Sequence, residues 1–170
     1  MPTANELLLY CRPGFEHDLS AEVADKAAGL GWAGHPIAKP GSGHVRFMVS
    51  EATPANTLHR LLPLDTLVFA RQSLVALPAL EALPRNDRLT SLIEQVVTSG
   101  WSFETLWQET PDTNEAKALA GLMKALKRPL ETALRKRGAL RRKAGGRRLH
   151  LFWSEGDRVQ VGMSLSLIHI

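Results

Sequence analysis

The sequence predicts an α+β protein made of two small units. Three observations carry this reading. The chain has 170 residues and 44% apolar content, enough for a real core without a disulfide or metal staple, and about the length of one ordinary domain or two small ones. Apolar residues alternate in some stretches and recur at spacings of three and four in others, so strands and helices both occur. A cluster of turn formers at residues 78–87, with Pro78, Pro84, Asn86 and Asp87, interrupts the pattern and reads as a linker.

Composition excludes several classes. Charged residues make up 22% of the chain, which argues against wholesale disorder. A single cysteine, Cys11, rules out an internal disulfide framework. The apolar runs are far shorter than a membrane span, and no basic segment precedes a hydrophobic stretch at the N-terminus. The expected location is the cytoplasm, with no membrane partner.

The first unit is expected over residues 1–80. Residues 5–11 (NELLLYC) form an apolar run that ends at Pro13-Gly14, a strand followed by a turn. Phe15, Leu19, Val23, Ala27 and Leu30 mark one face of a helix closed by Gly29 and Gly31. Residues 32–39 read as a strand and Pro40-Gly41-Ser42-Gly43 as a turn. Residues 44–49 (HVRFMV) alternate, with Val45, Phe47 and Val49 on one side. Thr53-Pro54 starts a helix carrying Leu58, Leu61 and Leu62. Residues 67–77 (LVFARQSLVAL) are β-rich. The order strand–helix–strand–strand–helix–strand is that of the ferredoxin-like split βαβ.

The second unit is expected over residues 88–166. Leu89, Leu92, Ile93, Val96 and Val97 form a helical stripe ending at Gly100. Residues 101–108 (WSFETLWQ) alternate and predict a strand. Asp112 or Thr113 is placed to cap the next helix, with Glu115 in its first turn. Residues 116–127 read as helix, and Pro129 opens another (PLETALRKR) that ends at Gly138. Residues 141–148, with Gly145-Gly146, read as a mobile basic loop. Residues 149–153 and 158–165 are two strands joined near Gly156-Asp157, a hairpin signal.

The net charge of +4 hides a sharp asymmetry. Residues 1–116 hold 8 Lys/Arg against 14 Asp/Glu, whereas residues 117–148 hold 12 Lys/Arg against one acid, Glu131. A polyanion would relieve the repulsion within this segment, and each neutralised phosphate releases counterions. Nucleic acid is the leading partner, and the alternative is a solvated basic face. Cations in the last helical turn also suit the helix dipole, but this does not account for the arginines beyond Gly138. The expected RNA contacts are Lys127, Arg128, Arg135, Lys136, Arg137, Arg141, Arg142, Lys143, Arg147 and Arg148. Helix-groove DNA motifs are absent, so a reader of RNA shape and backbone is favoured over a DNA reader. Trp101, Trp107 and Trp153 are candidates for base stacking, although alternation favours core packing for most of them.

Nothing in the sequence assembles a catalytic site. There is no glycine-rich phosphate loop and no His-Glu-x-x-His. The six histidines are scattered, and Cys11 with His17 is too little for a metal. Cys11 sits in an apolar strand, where a buried inert thiol is expected. Glu16, Asp18, Glu22 and Asp25 line the first helix as a solvated face, with Glu22 and Lys26 spaced to pair. Arg12, Arg71 and Gln72 are expected as partners of Glu16 or of backbone carbonyls rather than of RNA.

Three strings bear a resemblance. They are Cys11-Arg12-Pro13-Gly14-Phe15-Glu16 with Ala21-Glu22 and Asp25-Lys26-Ala27; Phe69-Ala70-Arg71-Gln72; and Pro111-Asp112-Thr113-Asn114-Glu115-x-Lys117 with Pro129-Leu130-x-x-Ala133-Leu134-Arg135. The last pair resembles a THUMP domain, an RNA-binding module. All three in this order resemble the ribosomal large subunit methyltransferase M family. The resemblance implies a ferredoxin-like domain, a THUMP domain and a C-terminal Rossmann-like methyltransferase domain. It further implies methyl transfer from S-adenosylmethionine to a cytidine 2′-hydroxyl of 23S rRNA. The family's cofactor-binding glycines and catalytic Lys and Asp lie in that third domain, and no residue here corresponds to them. The resemblance therefore implies an RNA-binding fragment of an enzyme, without catalytic, cofactor or metal residues of its own; the sequence does not give the oligomeric state, for which a monomer is the default expectation. Two alternatives remain open at this point: part of a THUMP-bearing tRNA-modifying enzyme, and a non-enzymatic interaction module.

The final residues, Leu165-Ser166-Leu167-Ile168-His169-Ile170, are the translation of CTGTCTCTTATACACATC, a transposon end used in sequencing libraries. Residues 165–170 are therefore expected to be a non-native, adapter-derived tail on a gene that continues.

Overall fold

The computed structural model describes residues 4–50 and 55–165. The Thr53-Pro54 helix start and residues 166–170 of the expected tail lie outside the described residues. The chain divides into two compact units: residues 4–77 with Pro111–Asn114, and Pro78–Thr110 with residues 115–165.

The first unit runs β1 (Glu6–Cys11), α1 (Glu16–Gly29), β2 (Gly34–Ala38), β3 (His44–Val49), α2 (Ala55–Leu61) and β4 (Ala70–Ala76). Its strands lie in the order β2-β3-β1-β4, with every neighbouring pair antiparallel. β3 is thus inserted between β1 and β2, the split βαβ arrangement that the element order predicts. Leu7 faces Phe47 and Leu9 faces Val45 across the β1–β3 ladder, so these four share one face. They are all buried, as are Leu19, Val23 and Ala27 of α1, which packs on β2 and β3. Each buried Leu, Val or Phe among them contributes roughly 1.5–3 kcal/mol of burial. Pro36 is accommodated because β2 is an edge strand.

Two close approaches fix this unit. A Cβ at Gly34 would lie 2.6 Å from the Met48 carbonyl oxygen and 2.6 Å from the Phe47 ring, so only glycine lets β2 enter its pairing there. At the start of α1, the buried Glu16 carboxylate accepts N–H groups from Gly41 at 2.7 Å, Gly43 at 3.1 Å and Gly14 at 3.1 Å. Burial raises the pKa of this carboxyl. The three N–H groups outweigh that and hold it below the ordinary range. The expected cationic partners of Glu16 are elsewhere: Arg12 is exposed, and Arg71 pairs with Asp112 at 2.9 Å. The physical reason is that the backbone N–H groups of two glycine turns already satisfy the carboxylate. Gln72 accepts the Ser73 N–H through its side-chain oxygen. Glu22 and Lys26 do pair, at 3.7 Å.

The second unit contains α3 (Leu89–Thr98), β5 (Thr105–Glu109), α4 (Ala120–Lys136), β6 (Arg147–Glu155) and β7 (Arg158–Leu165). Its strand order is β7-β6-β5. β5 and β6 are parallel, joined through α4, and β6 and β7 form the expected antiparallel hairpin across Gly156-Asp157. Leu149, Leu151 and Trp153 share a face with Val159 and Val161, and all five are buried. Leu92 and Val96 of α3 and Leu130 and Leu134 of α4 are buried too. Gln108 locks α4 to this face. Its side-chain oxygen accepts the Trp153 indole N–H at 3.0 Å, and its amide donates to the Met123 carbonyl at 2.7 Å.

Several sequence expectations are corrected here. Residues 78–87 are not a free linker: Leu80 pairs with Val159, and the Leu83 N–H donates to the Asp157 carbonyl at 2.9 Å. The strand expected from residue 101 starts at Thr105, because Trp101 N–H turns onto the Ser99 hydroxyl and Phe103 pairs with Leu140. Asp112 is taken by Arg71, and residues Glu115–Leu119 form a 3₁₀ turn before α4. The expected break at Pro129 does not occur, since α4 runs through it. Proline removes only the N–H that would reach the Ala125 carbonyl, and both residues are exposed, so solvent can serve that oxygen.

Candidate nucleic-acid interface

The basic segment begins on α4. Leu126, Leu130 and Leu134 form the inward stripe, and Lys124, Arg128, Glu131 and Arg135 fall on the opposite side of the helix at spacings of three and four. Lys124, Arg128 and Arg135 are exposed. Arg128 and Arg135 stand about 10 Å apart along the helix axis at 1.5 Å per residue. Lys127 and Lys136 flank this stripe and are exposed as well. α4 closes at Gly138, whose φ of 76° is the left-handed conformation that favours glycine.

Residues 141–148 are not the mobile loop that their composition suggests: Arg147 and Arg148 belong to β6, and Arg141 and Ala144 are held by hydrogen bonds. The Arg141 N–H donates to the Phe103 carbonyl at 2.8 Å, and the Phe103 N–H donates to Ala139 at 2.7 Å. The Ala144 N–H donates to the Glu104 carboxylate at 3.0 Å, and Ala144 is buried. Backbone hydrogen bonds therefore pin the segment to the start of the β5 region, leaving Arg142 and Lys143 projecting from a fixed base.

The ten expected RNA contacts separate into two groups. Four are tied to the protein. Arg137 pairs with Glu94 of α3 at 2.8 Å, which holds that carboxyl below its ordinary value. Arg141 donates to the Ser102 hydroxyl at 2.9 Å. Arg147 donates from Nε to the Ser102 carbonyl at 2.7 Å and from its terminal nitrogen to the Ser102 hydroxyl at 2.9 Å. The Arg148 guanidinium lies 5.2 Å from the centre of the Trp107 ring, within cation–π range. The other six, Lys127, Arg128, Arg135, Lys136, Arg142 and Lys143, are exposed and form no ion pair among the described residues.

Sequence reasoning missed Ser102, and it named Trp107 as a stacking candidate while alternation favoured core packing for most of the tryptophans. Ser102 gathers two arginines at once, and short-range patterns give no sign of a contact across 39 and 45 residues. Trp107 is 46% exposed, not core. The parallel register of β5 and β6, which sets Thr105 opposite Arg148 and Trp107 opposite His150, is the signal that places it. Of the other tryptophans, Trp153 is fully buried and Trp101 packs edge-on against Phe103.

Two family models match this chain. Residues 4–74 match the RlmM ferredoxin-like domain. Residues 87–165 match the N-terminal region of ribosomal RNA large subunit methyltransferase M. The chain belongs to the ribosomal RNA large subunit methyltransferase M family. The protein of that name from Chromohalobacter salexigens is 72% identical over 94% of this chain and 45% of its own length. Those from Marinomonas sp. and Pasteurella multocida are 37% and 38% identical over 93% and 97% of this chain. The chain thus spans a little under half the length of these methyltransferase M relatives. A solved structure titled as a predicted N6-adenine-specific DNA methylase from Listeria monocytogenes aligns with 93% of this chain and 39% of that chain, at 15% identity and a TM-score of 0.47. That likeness is too distant to carry an argument.

A methyltransferase family implies a methyl donor, and S-adenosylmethionine does not fit the cavity beside α1. The cavity beside α1, lined by Glu16, His17, Ser20, Pro36, Ala38 and Pro40, is about 250 Å³, below the roughly 300–1,000 Å³ of small-molecule sites. Its one carboxylate, Glu16, is already engaged by three backbone N–H groups, which leaves little to receive ribose hydroxyls. No helix among the described residues is long and apolar enough to cross a membrane.

Proposed function

We propose that this chain is the RNA-gripping part of an S-adenosylmethionine-dependent methyltransferase that modifies a cytidine 2′-hydroxyl of 23S rRNA. The observation that carries the reading is the set of six exposed cations on α4 and the segment after it that form no ion pair among the described residues, in a chain of the methyltransferase M family. Phosphates satisfy such cations and release counterions on binding. Arginine also pairs bidentately with phosphate.

In this proposal residues 1–80 form a ferredoxin-like domain and residues 88–166 a THUMP domain. Lys127, Arg128, Arg135, Lys136, Arg142 and Lys143 contact RNA phosphates directly. Arg137, Arg141, Arg147 and Arg148 add positive potential from positions fixed by Glu94, Ser102 and Trp107. Methyl transfer takes place on a part of the enzyme outside this match, and the chain alone transfers no methyl group. Work done here by backbone contacts would offset the few kcal/mol needed to turn the target nucleotide out of its stack.

Equilibrium binding to a 23S rRNA transcript and to bulk tRNA, at low salt and in separate titrations, tests the reading. The expected result is binding to 23S rRNA with preference over tRNA. A tRNA preference would assign the module to a tRNA-modifying enzyme, and no binding to either would overturn the reading.

A further inference from the structure

On the second unit, Trp107 is the one large apolar side chain among the described residues that is left exposed. Leaving about half an indole in water forfeits burial energy, and this indole is nonetheless held in place. Its Nε1–H donates to the Thr105 hydroxyl at 3.2 Å. The Arg148 guanidinium lies 5.2 Å from the ring centre. The His150 ring stacks beside it, with centroids 6.3 Å apart and planes inclined by 29°. His150 is itself clamped, Nδ1 to the Glu109 carboxylate at 2.6 Å and Nε2 to the Ser164 hydroxyl at 2.6 Å. Trp107, Arg148 and His150 therefore form a ladder on the sheet face opposite the one that Gln108 and Trp153 present to α4.

A fixed indole whose only donor is already used offers a partner its π-face and nothing else. The cation beside it favours a partner that joins an aromatic plane to a negative charge. An unpaired nucleotide has both, a base to stack and a phosphate to meet the guanidinium. We propose that Trp107 is a stacking platform for an unpaired RNA base, with Arg148 positioned to contact the adjoining phosphate. The proposal rests on the RNA-binding reading and extends it to a second contact, on a face that the α4 cations do not share. It also gives the buried His150–Glu109–Ser164 hydrogen bonds a role, that of fixing the strand partner against which the indole is oriented.

The test uses the 170-residue chain and two RNA hairpins. One carries a short single-stranded adenosine extension, and the other carries an extension of equal length with abasic riboses, so that phosphates are kept and bases removed. The wild-type chain is expected to bind the adenosine form roughly 5- to 100-fold tighter. Trp107→Ala should abolish that difference, and Trp107→Phe, which keeps an aromatic face beside Arg148, should restore part of it. Equal wild-type affinity for the two hairpins, or a difference that survives Trp107→Ala, overturns the platform while leaving RNA binding through the α4 cations intact. Failure of the wild-type chain to bind either hairpin overturns the RNA reading itself, and the platform with it.

Discussion

Arg147 grips Ser102 twice, donating to its carbonyl at 2.7 Å and to its hydroxyl at 2.9 Å. One arginine of the basic segment is thereby part of the scaffold. Arg142, five residues earlier in the chain, is exposed and unpaired among the described residues. Two residues of one type and one neighbourhood should respond in opposite ways. Arg147→Ala is expected to cost about 1–3 kcal/mol of stability, the range for a half-buried charged hydrogen-bond donor, read by chemical denaturation. Arg142→Ala is expected to leave stability within about 0.5 kcal/mol of wild type and to weaken RNA binding.

Glu16 links two turns and the start of α1 through backbone N–H groups. Glu16→Gln should destabilise the chain by about 1–3 kcal/mol at pH 7, because the amide has one acceptor oxygen where the carboxylate has two. The folded-state pKa is lowered, so the stabilisation is fully present above the unfolded value of about 4.3 and is lost as pH falls through the folded value. Denaturation curves of wild type and variant should converge as pH falls through that lowered folded value. A gap that persists unchanged there would show that the charge is not its source.

Cys11 is 1% exposed, and burial, reinforced by the neighbouring Glu16 carboxylate, pushes its thiol up to about 12. Thiolate, not thiol, reacts with alkylating reagents. Native protein at pH 8 should resist alkylation and denatured protein should label fully, with mass spectrometry as the readout. Rapid native labelling would contradict the buried, inert thiol that the sequence leads one to expect.

Gly34→Ala should destabilise by about 1–3 kcal/mol, the range for forced overpacking. The new Cβ would meet the Met48 carbonyl oxygen and the buried Phe47 ring, both at 2.6 Å, and neither is the free end of a flexible side chain. Thermal melting reads the effect, and Gly29→Ala, where a Cβ meets nothing within 4 Å, serves as the control.

Much of the fold could be read locally. The alternation at His44–Val49 gives β3 to the residue, since one face of an antiparallel strand is buried and the other is not. The Leu89–Thr98 stripe and the Gly156-Asp157 hairpin follow equally from period and turn chemistry. Harder to read was what other elements decide. Alternation put Phe103 and Trp107 on one strand face, yet Phe103 sits before β5 in a bridge to Leu140, and Trp107 lies in water on the edge strand. Period cannot say which face a neighbour will cover. Composition also made residues 141–148 look mobile, whereas carbonyls and carboxylates some 40 residues distant tether them. The location of the charge was plain from the chain, but the separation of held from free cations required the three-dimensional arrangement.

The central claim is that six exposed cations hold RNA phosphates, and the salt dependence of binding tests it most directly. The logarithm of the association constant for 23S rRNA, plotted against the logarithm of salt concentration, should fall steeply for the wild-type chain. Replacing Lys127, Arg128, Arg135, Lys136, Arg142 and Lys143 by glutamine should flatten the slope by about one unit for each phosphate no longer neutralised, while leaving the fold intact. An unchanged slope in that variant would contradict the account.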